Sequence, residues 1–574
     1  MLFRSEYDGV GRESNAWLPV PAGNGTGAYM APASFKPAAT AFYSDSAPYS
    51  HPVYEPSPLN RVTERYAPGE AWRTAERPVK TDYLTNTSSG ACSCALYSVA
   101  SDNSLKRNGY YAACELFVTQ TTDEEGHTAY SFTDKLERTV LQRVMNGTVA
   151  HDTYYVYDDF GNLRYVLPPA AADALTAATT WPDTHAVLQN LAYIYKYDER
   201  NRCILKKLPG CDPVEMTYDR SDRLVFSRDG NQKAKGQWRF FLYDILGRQT
   251  VTGTWKSATV PETENRVVKT DYTGSGPLGG YTVNLTLAPV DLLTVNYYDD
   301  HAFASGLSGL AYTPPPAGYD THYENAKGLL TGSRTYRLDD PSEYTVSALY
   351  YDHRGRIVQT HRSNHLGGFE EEYFAYTFTG KVKQRQHVHS APGKLPLTEV
   401  YEYAYDHAER LLSVTHKLNG APAVTLTACT YDEVGRMKTK TFYETAETQT
   451  FDYNVRGRLT RIAGTKFSET LAGNETVNGL TPSRPCYNGN IAAIRWKAGD
   501  ETAERGYQFT YDALNRLTSS RYGEGASLAA NPNRYDESFT YDKTGNILTL
   551  QRKGLTDKKT APSDASAKDR KSVV

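Results

Sequence analysis

The sequence predicts an all-β fold: repeated antiparallel β-hairpins stacked side by side into a large curved or spiral sheet, with a short helical insert near residues 169–192. Three observations predict it. A Tyr-Asp-x-x-Gly-Arg pattern recurs along the chain, runs of alternating residue type flank its copies, and the 574 residues include 45 Tyr and 43 Gly. Neighbouring copies are separated by enough residues for two strands and a connection, so each copy predicts one hairpin turn.

The residues of one copy explain the turn. In YDILGR, Asp244 suits the first position of a type I turn, where its carboxylate can accept a backbone N–H. Gly247 suits the left-handed residue that closes a three-residue loop with a bulge. Where Gly is missing, Asn or Asp usually replaces it, because these residues tolerate positive φ, and Glu409 fits less well; the replacements are Asn201, Asp222 and Asn515.

The repeat also predicts which side chains face each other. A three-residue loop makes Asp and Arg the closing pair and places Tyr opposite the residue after Arg. Such aromatic–aliphatic pairs contribute about 0.2–1 kcal/mol each, and we expect the Asp–Arg pairs to be exposed and worth about 0–1 kcal/mol. The predicted pairs are Tyr218 with Leu224, Tyr351 with Ile357, Tyr405 with Leu411, Tyr431 with Met437, and Tyr511 with Leu517.

The predicted site residues are structural and lie at the repeat turns. They are Tyr7, Asp8, Gly11, Arg12, Tyr157, Asp158, Gly161, Tyr197, Asp198, Asn201, Arg202, Tyr218, Asp219, Asp222, Arg223, Tyr243, Asp244, Gly247, Arg248, Tyr351, Asp352, Gly355, Arg356, Tyr405, Asp406, Arg410, Tyr431, Asp432, Gly435, Arg436, Tyr453, Gly457, Arg458, Tyr511, Asp512, Asn515, Arg516, Tyr541, Asp542 and Gly545.

Taken in order, the chain is expected to begin with a β domain over 6–150, in which residues 22–60 are rich in Pro, Gly and Ser and predict an irregular, partly disordered segment. A first repeat array follows over 151–345 and contains the helical insert, for which Ala and Leu spacing predicts two short helices. A second array covers 346–554. Residues 555–574 predict a disordered tail.

Both ends call for separate treatment. One short oligonucleotide, read in its two orientations, can encode residues 1–5 and most of residues 569–574, as read-through of a sequencing adapter would. We therefore expect the natural protein to continue past both ends and exclude these residues from fold reasoning. A signal peptide would then not be observable here.

Composition excludes several classes of function. The net charge of −3 gives no electrostatic reason to expect nucleic-acid binding, and no apolar run approaches the roughly 20 residues of a membrane span. The seven Cys lack paired metal-ligand spacing and are mostly expected to be free thiols, although Cys203 and Cys211 could bridge a hairpin.

Other candidate sites are weaker than their structural interpretations. His387 and His389 share a strand face, and His361 with His365 has an HxxxH spacing, but neither pair has a third ligand at convincing spacing. The GSGPLGG stretch lacks the Lys of a phosphate-binding loop. Most Asp residues are explained by turns, so a glycosidase pair is not favoured. We therefore predict no catalytic residue, no metal site and no cofactor.

The units YDERNRCILKKLPG, YDRSDRLVFSRDGNQ and YDILGR, with YDGVGR, WLPVP and APGEAW before them, resemble the YD repeats of the RHS family and the front half of bacterial RHS proteins, where a domain of unknown function precedes the repeats. The family is shared with toxin-complex cocoon subunits and teneurins. The resemblance implies a hollow shell that holds a C-terminal effector, often a toxin. The family's core segment with its self-cleaving aspartates, and any effector, are missing from this sequence.

The sequence therefore predicts a non-enzymatic part of a shell around its own C-terminal effector, secreted or on the cell surface, with the effector and secretion machinery as partners. An extracellular adhesin or carbohydrate-binding repeat protein that uses exposed aromatic residues to hold cell-surface glycans is the alternative. A glycoside-active enzyme is a remote third. The resemblance also makes poor solubility of an isolated piece an expectation, because cut sheet ends expose unpaired strand edges.

Overall fold

A computed structural model describes residues 2–21, 30–175, 179–257, 259, 262–532, 534–555 and 567–572. The chain forms two compact units. Unit 1 comprises residues 1–193, 429–441 and 445–574, and unit 2 comprises residues 194–428 and 442–444. The predicted array boundaries at residues 150, 345 and 554 stay predictions.

Strands account for about half of the described residues. Up to residue 181 they are β1 (Leu2–Tyr7), β2 (Glu13–Val20), β3 (Tyr49–Tyr54), β4 (Val62–Tyr66), β5 (Val79–Thr85), β6 (Ala95–Val99), β7 (Leu105–Tyr110), β8 (Phe117–Thr122), β9 (Thr128–Thr133), β10 (Thr139–Asn146), β11 (Val149–Tyr157), β12 (Leu163–Leu167) and β13 (Thr180–Trp181).

The strands between residues 193 and 431 are β14 (Tyr193–Tyr197), β15 (Cys203–Lys207), β16 (Val214–Tyr218), β17 (Leu224–Arg228), β18 (Gln237–Tyr243), β19 (Gln249–Lys256), β20 (Thr270–Gly276), β21 (Gly280–Val283), β22 (Val290–Asp299), β23 (Ala326–Tyr336), β24 (Tyr344–Tyr351), β25 (Ile357–Ser363), β26 (Phe369–Tyr376), β27 (Val382–His389), β28 (Leu397–Tyr405), β29 (Leu411–Leu418) and β30 (Val424–Tyr431).

The remaining strands are β31 (Met437–Phe442), β32 (Glu447–Tyr453), β33 (Leu459–Ala463), β34 (Phe467–Ala472), β35 (Ala493–Ala498), β36 (Arg505–Tyr511), β37 (Leu517–Glu524), β38 (Glu537–Tyr541), β39 (Ile547–Leu555) and β40 (Ala567–Ser572). The helices are α1 (Pro32–Tyr43), α2 (Glu70–Thr74), α3 (Pro169–Ala174), α4 (Ala186–Leu191) and α5 (Gly230–Ala234), with a 3-10 turn at Ala302–Ala304.

The predicted all-β fold of antiparallel hairpins laid side by side is confirmed. In unit 2, each strand from β14 to β19 pairs with the next, β22 pairs with β19, and the series continues to β30. The β20–β21 hairpin lies outside this series, and GSGPLGG spans the end of β20, the turn and the start of β21. Unit 1 contains one antiparallel run from β1 through β5 to β8–β12 and another from β32 to β40.

The predicted cross-strand register is confirmed at four turns. Each repeat Tyr lies opposite the residue after Arg, and a bulge directly before the Tyr accommodates the extra residue of the loop. Tyr431 with Met437 stays a prediction. The observed pairs are Tyr218 with Leu224, Tyr351 with Ile357, Tyr405 with Leu411, and Tyr511 with Leu517.

The expectation of an irregular segment over 22–60 is wrong where the structure describes it. Residues 32–43 form α1, the longest helix among the described residues, and β3 and most of the β3–β4 turn also fall in this range. Pro32 begins the helix, and its apolar face packs Phe35 and Ala39 against Trp17 and Val20. Pro32 at the first helical position costs no hydrogen bond, and the helix continues through Pro37 despite the hydrogen bond lost there. The Pro content therefore misled the prediction. Residues 22–29 lie outside the described residues.

The helical insert near 169–192 is confirmed as α3 and α4. The sequence offered this as the only convincing helical insert, but other helical segments are present. The short helix α5 forms because the Asp229 and Gln232 side chains cap its first turn reciprocally, with Asp229 accepting from the Gln232 N–H. That capping pattern is visible in the sequence.

The disordered tail predicted over 555–574 is wrong for residues 567–572. These form β40, which pairs with β39. An edge strand offers a row of unpaired backbone groups, and an extended segment that follows it can satisfy them whatever its side chains are. Residues 556–566 and 573–574 lie outside the described residues.

Turn backbone strain yields a testable pair of substitutions in unit 2. Gly247 has φ +81 with no atom within 4 Å of an added Cβ, so Gly247→Ala changes backbone strain without a clash. We expect it to lower the free energy of unfolding by about 1 kcal/mol. Glu409 has φ 61, so Glu409→Gly should raise it by roughly 0.5–1 kcal/mol. Urea denaturation measures both, and shifts of the same sign would contradict this explanation.

Candidate functional site

The repeat turn is held by one aspartate. Asp244 Oδ1 accepts the backbone N–H groups of Leu246 and Arg248, each at 2.9 Å, and the Gly247 N–H donates to the Asp244 carbonyl at 3.1 Å. The second carboxylate oxygen accepts the Arg248 Nε at 2.6 Å. One carboxylate thus fixes both the loop backbone and the arginine that leaves it.

This arrangement recurs with little change. Among the described residues, eight further turns have the Arg Nε donating to the carboxylate of the Asp four residues earlier, at 2.6–3.0 Å. In the 157–162 and 541–546 turns, Asn replaces Arg and donates through its amide. Asn201, Asp222, Glu409 and Asn515 all have positive φ at the position that Gly takes elsewhere.

The expectation that the Asp–Arg pairs would be exposed is wrong. The Asp219 side chain is 0% exposed and that of Arg223 is 16% exposed. Asp352 and Arg356 are 6% and 23% exposed. Neighbouring hairpins cover these pairs, so they are partly desolvated and removing one partner leaves an uncompensated charge.

The arginine also contacts the following hairpin. The Arg356 guanidinium lies 4.5 Å from the centre of the Tyr376 ring, and the Tyr376 hydroxyl donates to the carbonyl of Ile357 at 2.5 Å. Ile357 is the residue directly after that arginine. We call this set of contacts the inter-hairpin clamp. In it, the Asp carboxylate binds the Arg, and the Arg guanidinium lies over the ring of the next Tyr. The hydroxyl of that Tyr donates to the carbonyl of the residue after the Arg.

The clamp is repeated in both units. The Arg-to-ring distances lie between 4.5 and 5.1 Å in the pairs that follow. The hydroxyl-to-carbonyl distances lie between 2.6 and 3.0 Å in the same pairs. The Arg and Tyr residues are Arg202 with Tyr218, Arg223 with Tyr243, Arg248 with Tyr298, Arg436 with Tyr453, and Arg516 with Tyr541.

The pKa values of the clamp Asp and Tyr reflect the contacts that these residues make. Burial by itself would raise the pKa of Asp352, but hydrogen bonds from the Arg356 backbone and side chain outweigh it and leave that pKa lowered. Burial raises the pKa of Tyr376, and the Arg356 charge opposes it. The Tyr is therefore neutral and the Asp charged at neutral pH, as the hydrogen bonds require.

Sequence reasoning missed one member of the series. The 290–299 segment was predicted only as a strand, yet Tyr298 completes the clamp of the preceding turn. Arg248 also makes a two-pronged ion pair with Asp299, at 2.8 and 2.7 Å. Hydrogen bonds from Arg248 are the first cause that lowers the pKa of Asp299 to about 2. The Tyr-Asp pair in NYYDD was the available signal, but no Gly-Arg follows it.

A second set of contacts within unit 1 joins parts of the chain far apart in sequence. The Arg456 guanidinium lies 3.7 Å from the centre of the Trp72 ring, and its Nε donates to the Pro68 carbonyl at 2.8 Å. Arg456 Nη1 lies 3.1 Å from Glu124 Oε1. The Trp72 indole, 1% exposed, donates to the Tyr487 carbonyl at 2.8 Å.

The neighbouring turns of unit 1 continue this contact. Asn488 donates to Asp123 at 3.3 Å, and the Lys543 ammonium lies 2.6 Å from Asp173. His151 Nδ1 donates to the Lys543 carbonyl at 2.9 Å. Late repeat turns therefore dock against helices and turns of the N-terminal part of unit 1, and we call these contacts the clasp. No signal for it is visible in the sequence.

Two of the other candidate residues have carboxylate partners. His387 and His389 both hydrogen-bond Glu370, at 2.7 and 2.6 Å, and His387 also contacts Glu399 at 3.2 Å. His361 is buried, and burial lowers its pKa. Among the described residues no group of three His, Cys, Asp or Glu side chains has a geometry that could hold a metal ion. All seven Cys, including Cys203 and Cys211, are free thiols.

Of the helices in the described part of the chain, none combines the length and apolar character that a bilayer requires.

Comparisons with known proteins agree with this geometry. Residues 2–85 match a family model described as a domain of unknown function, DUF6443. No curated protein matches the sequence. The Tc holotoxin pore of Photorhabdus luminescens is a similar structure, with a TM-score of 0.60 and 12% identity. The similarity covers 99% of this chain and 23% of the matched chain in that structure.

Two crystal structures are similar to the same degree. The TcdB2-TccC3 structure matches 99% of this chain with a TM-score of 0.58 and 12% identity. A form without the hypervariable C-terminal region gives a TM-score of 0.59 and 13% identity. This chain spans 24% of the length of each of these two chains. At such identity the similarity shows the fold.

The buried turn carboxylate of Asp219 predicts a large effect of neutralisation. Asp219→Asn keeps the side-chain shape but removes the charge that binds Arg223 at 2.6 and 3.0 Å. We expect the free energy of unfolding to fall by about 3 kcal/mol in urea denaturation. Asp406→Asn, at a turn whose Arg410 is 30% exposed, is the matched control and should give a smaller loss. Equal losses would contradict the role of burial.

The lowered pKa values of Asp198 and Asp352 predict acid sensitivity. A carboxyl group whose pKa is lower in the folded chain contributes stability above its unfolded pKa of about 4, and that stability is lost as the pH falls through the folded pKa. Below about pH 4, the urea concentration at the unfolding midpoint should therefore fall, and Asp352→Asn should make this fall smaller. A midpoint that rises on acidification would contradict the assignment.

Proposed function

We propose that the chain is a non-enzymatic wall of a shell: the N-terminal and middle part of a bacterial RHS protein that encloses a polypeptide effector attached C-terminal to it until delivery. The protein would be secreted or displayed at the cell surface. Its role is sequestration, which requires a stable closed surface and no reacting group.

The observation that carries this proposal is the clasp. Hairpins stacked in a simple row contact only their neighbours along the chain. In unit 1, Arg456 and Lys543 instead contact Trp72, Glu124 and Asp173, hundreds of residues earlier in sequence. When late hairpins contact the start of the row, one layer of hairpins supports another, and the row can form a wall.

The fold of the similar solved structures supports the proposal. One of them is a toxin pore, and another was solved without its hypervariable C-terminal region. This chain covers about a quarter of the length of those chains.

The clamp weakens the alternative of glycan binding by the repeat tyrosines. A ring that stacks on sugar needs a free face, whereas Tyr243 and Tyr376 have arginine over one face and their hydroxyls bound to backbone carbonyls. These tyrosines are therefore better explained as parts of the wall.

Protease protection tests the shell directly. The gene is sequenced beyond the codon of Val574, and its complete product is expressed and treated with proteinase K. We expect the segment downstream of the repeats to survive digestion when attached and to be degraded when expressed alone. Trp72→Ala combined with Arg456→Ala opens the clasp and should expose it, while Arg362→Ala, outside the clasp, should not.

Two results would contradict the proposal. One is a reading frame that ends at Val574 with no attached segment. The other is a downstream segment that is digested equally fast with and without the repeats while the repeats themselves resist the protease.

A further inference from the structure

Unit 2 contains an open cleft of about 450 Å³ beside the turn that follows β18. Its floor is aromatic: Tyr281, Tyr297 and Phe303 are each at most 5% exposed, and the Tyr297 and Phe303 rings stack with centres 4.3 Å apart. The hydroxyls of Tyr281 and Tyr297 donate to the carbonyls of Asn296 and Gly279, at 2.8 and 2.7 Å. The floor therefore offers ring surface and no free hydroxyl donor.

One wall of the cleft is an aromatic ring that remains accessible. Tyr272 lies edge-on to Tyr281 and Tyr297, with centres 5.1 and 5.8 Å away, and is 39% exposed. At the mouth, Ile245 and Leu246 are 69% and 72% exposed. The accessible surface thus combines an aromatic face with two aliphatic side chains, which suits the apolar substituents of a small ligand.

The charge of the cleft is strongly negative. Carboxylates of Asp244, Asp271, Asp299 and Asp300 line it, and Arg248 is the one cationic lining residue. That arginine is already engaged by Asp244 and Asp299. Behind the lining, the Lys269 ammonium lies 3.4 Å from Asp271, the Arg334 guanidinium lies 5.6 Å from the centre of the Tyr297 ring, and the Lys327 charge acts on Asp299. The lining itself therefore has more carboxylates than cations.

Asp300 is the carboxylate best placed for a ligand. Its Oδ1 accepts the Ala302 N–H at 2.9 Å, and no ion pair to it is found in the described part of the chain. It is close enough to Tyr272 that, after burial, its charge is the further cause raising the pKa of that tyrosine, against the opposing effect of Arg334. An exposed aromatic ring and an unbalanced carboxylate thus lie together.

From this juxtaposition we propose that the cleft binds a small organic ammonium compound, with its alkyl groups on Tyr272, Ile245 and Leu246 and its positive charge facing Asp300. Aromatic faces and carboxylates both attract such cations. A neutral sugar would leave the excess negative charge unbalanced, so the charge favours the ammonium class. The proposal is independent of the shell.

Choline and its uncharged isostere 3,3-dimethylbutan-1-ol test the proposal, because they share a shape and differ in charge. Isothermal titration calorimetry on the full chain should detect choline binding that is at least about tenfold tighter than that of the isostere. Choline affinity should also fall as sodium chloride is raised, because salt screens the carboxylates.

Two variants and two controls locate the site. Tyr272→Leu and Asp300→Asn should each weaken choline binding by about tenfold. Tyr323→Leu and Asp339→Asn change an exposed tyrosine and an exposed aspartate outside the cleft and should leave it unchanged. Circular dichroism of each variant confirms folding. Absence of choline binding, equal binding of the isostere, preference for glucose, or folded cleft variants that bind normally would each overturn the proposal.

Discussion

The structure depends on a carboxylate that does three things at the repeat turns where the clamp is complete. It caps two backbone N–H groups, it holds the arginine four residues later, and it thereby positions that arginine over the tyrosine of the next hairpin. A two-stranded hairpin is marginally stable in water by itself. Asp352, Arg356 and Tyr376 illustrate how the clamp joins one hairpin to the next through charge, ring contact and a hydroxyl-to-carbonyl bond.

The clamp also explains why tyrosine and not phenylalanine occupies the repeat position. The Tyr376 ring packs beside Arg356 while its hydroxyl satisfies the carbonyl of Ile357 at 2.5 Å. A phenylalanine would keep the ring and leave that carbonyl without its side-chain donor, which is unfavourable where the strand is partly buried. The many tyrosines and aspartates had made sugar binding and catalysis candidate functions. In the turns where the clamp is complete, these residues make structural contacts instead.

Local features were predictable from the sequence because their causes are local. The turn at Gly247 and the Tyr218–Leu224 register follow from side-chain alternation and from residues that tolerate positive φ, and the two helices of the 169–192 insert follow from Ala and Leu spacing. The clasp at Arg456 and Trp72 was not predictable, because no periodic pattern in the sequence relates these two distant residues. The 32–43 helix was missed because its stability comes from packing on Trp17 and not from its composition. The Tyr272 cleft combines segments that the sequence treats as unrelated.

A double-mutant cycle tests the clamp most directly. Arg356→Ala, Tyr376→Leu and the combination of both are compared by urea denaturation, with Arg356 and Tyr243 as a control pair whose members belong to different clamps. The account predicts a coupling free energy of about 1 kcal/mol between Arg356 and Tyr376 and additive effects for the control pair. Additivity of Arg356 and Tyr376 within about 0.3 kcal/mol would contradict the central claim that the repeat signature binds one hairpin to the next.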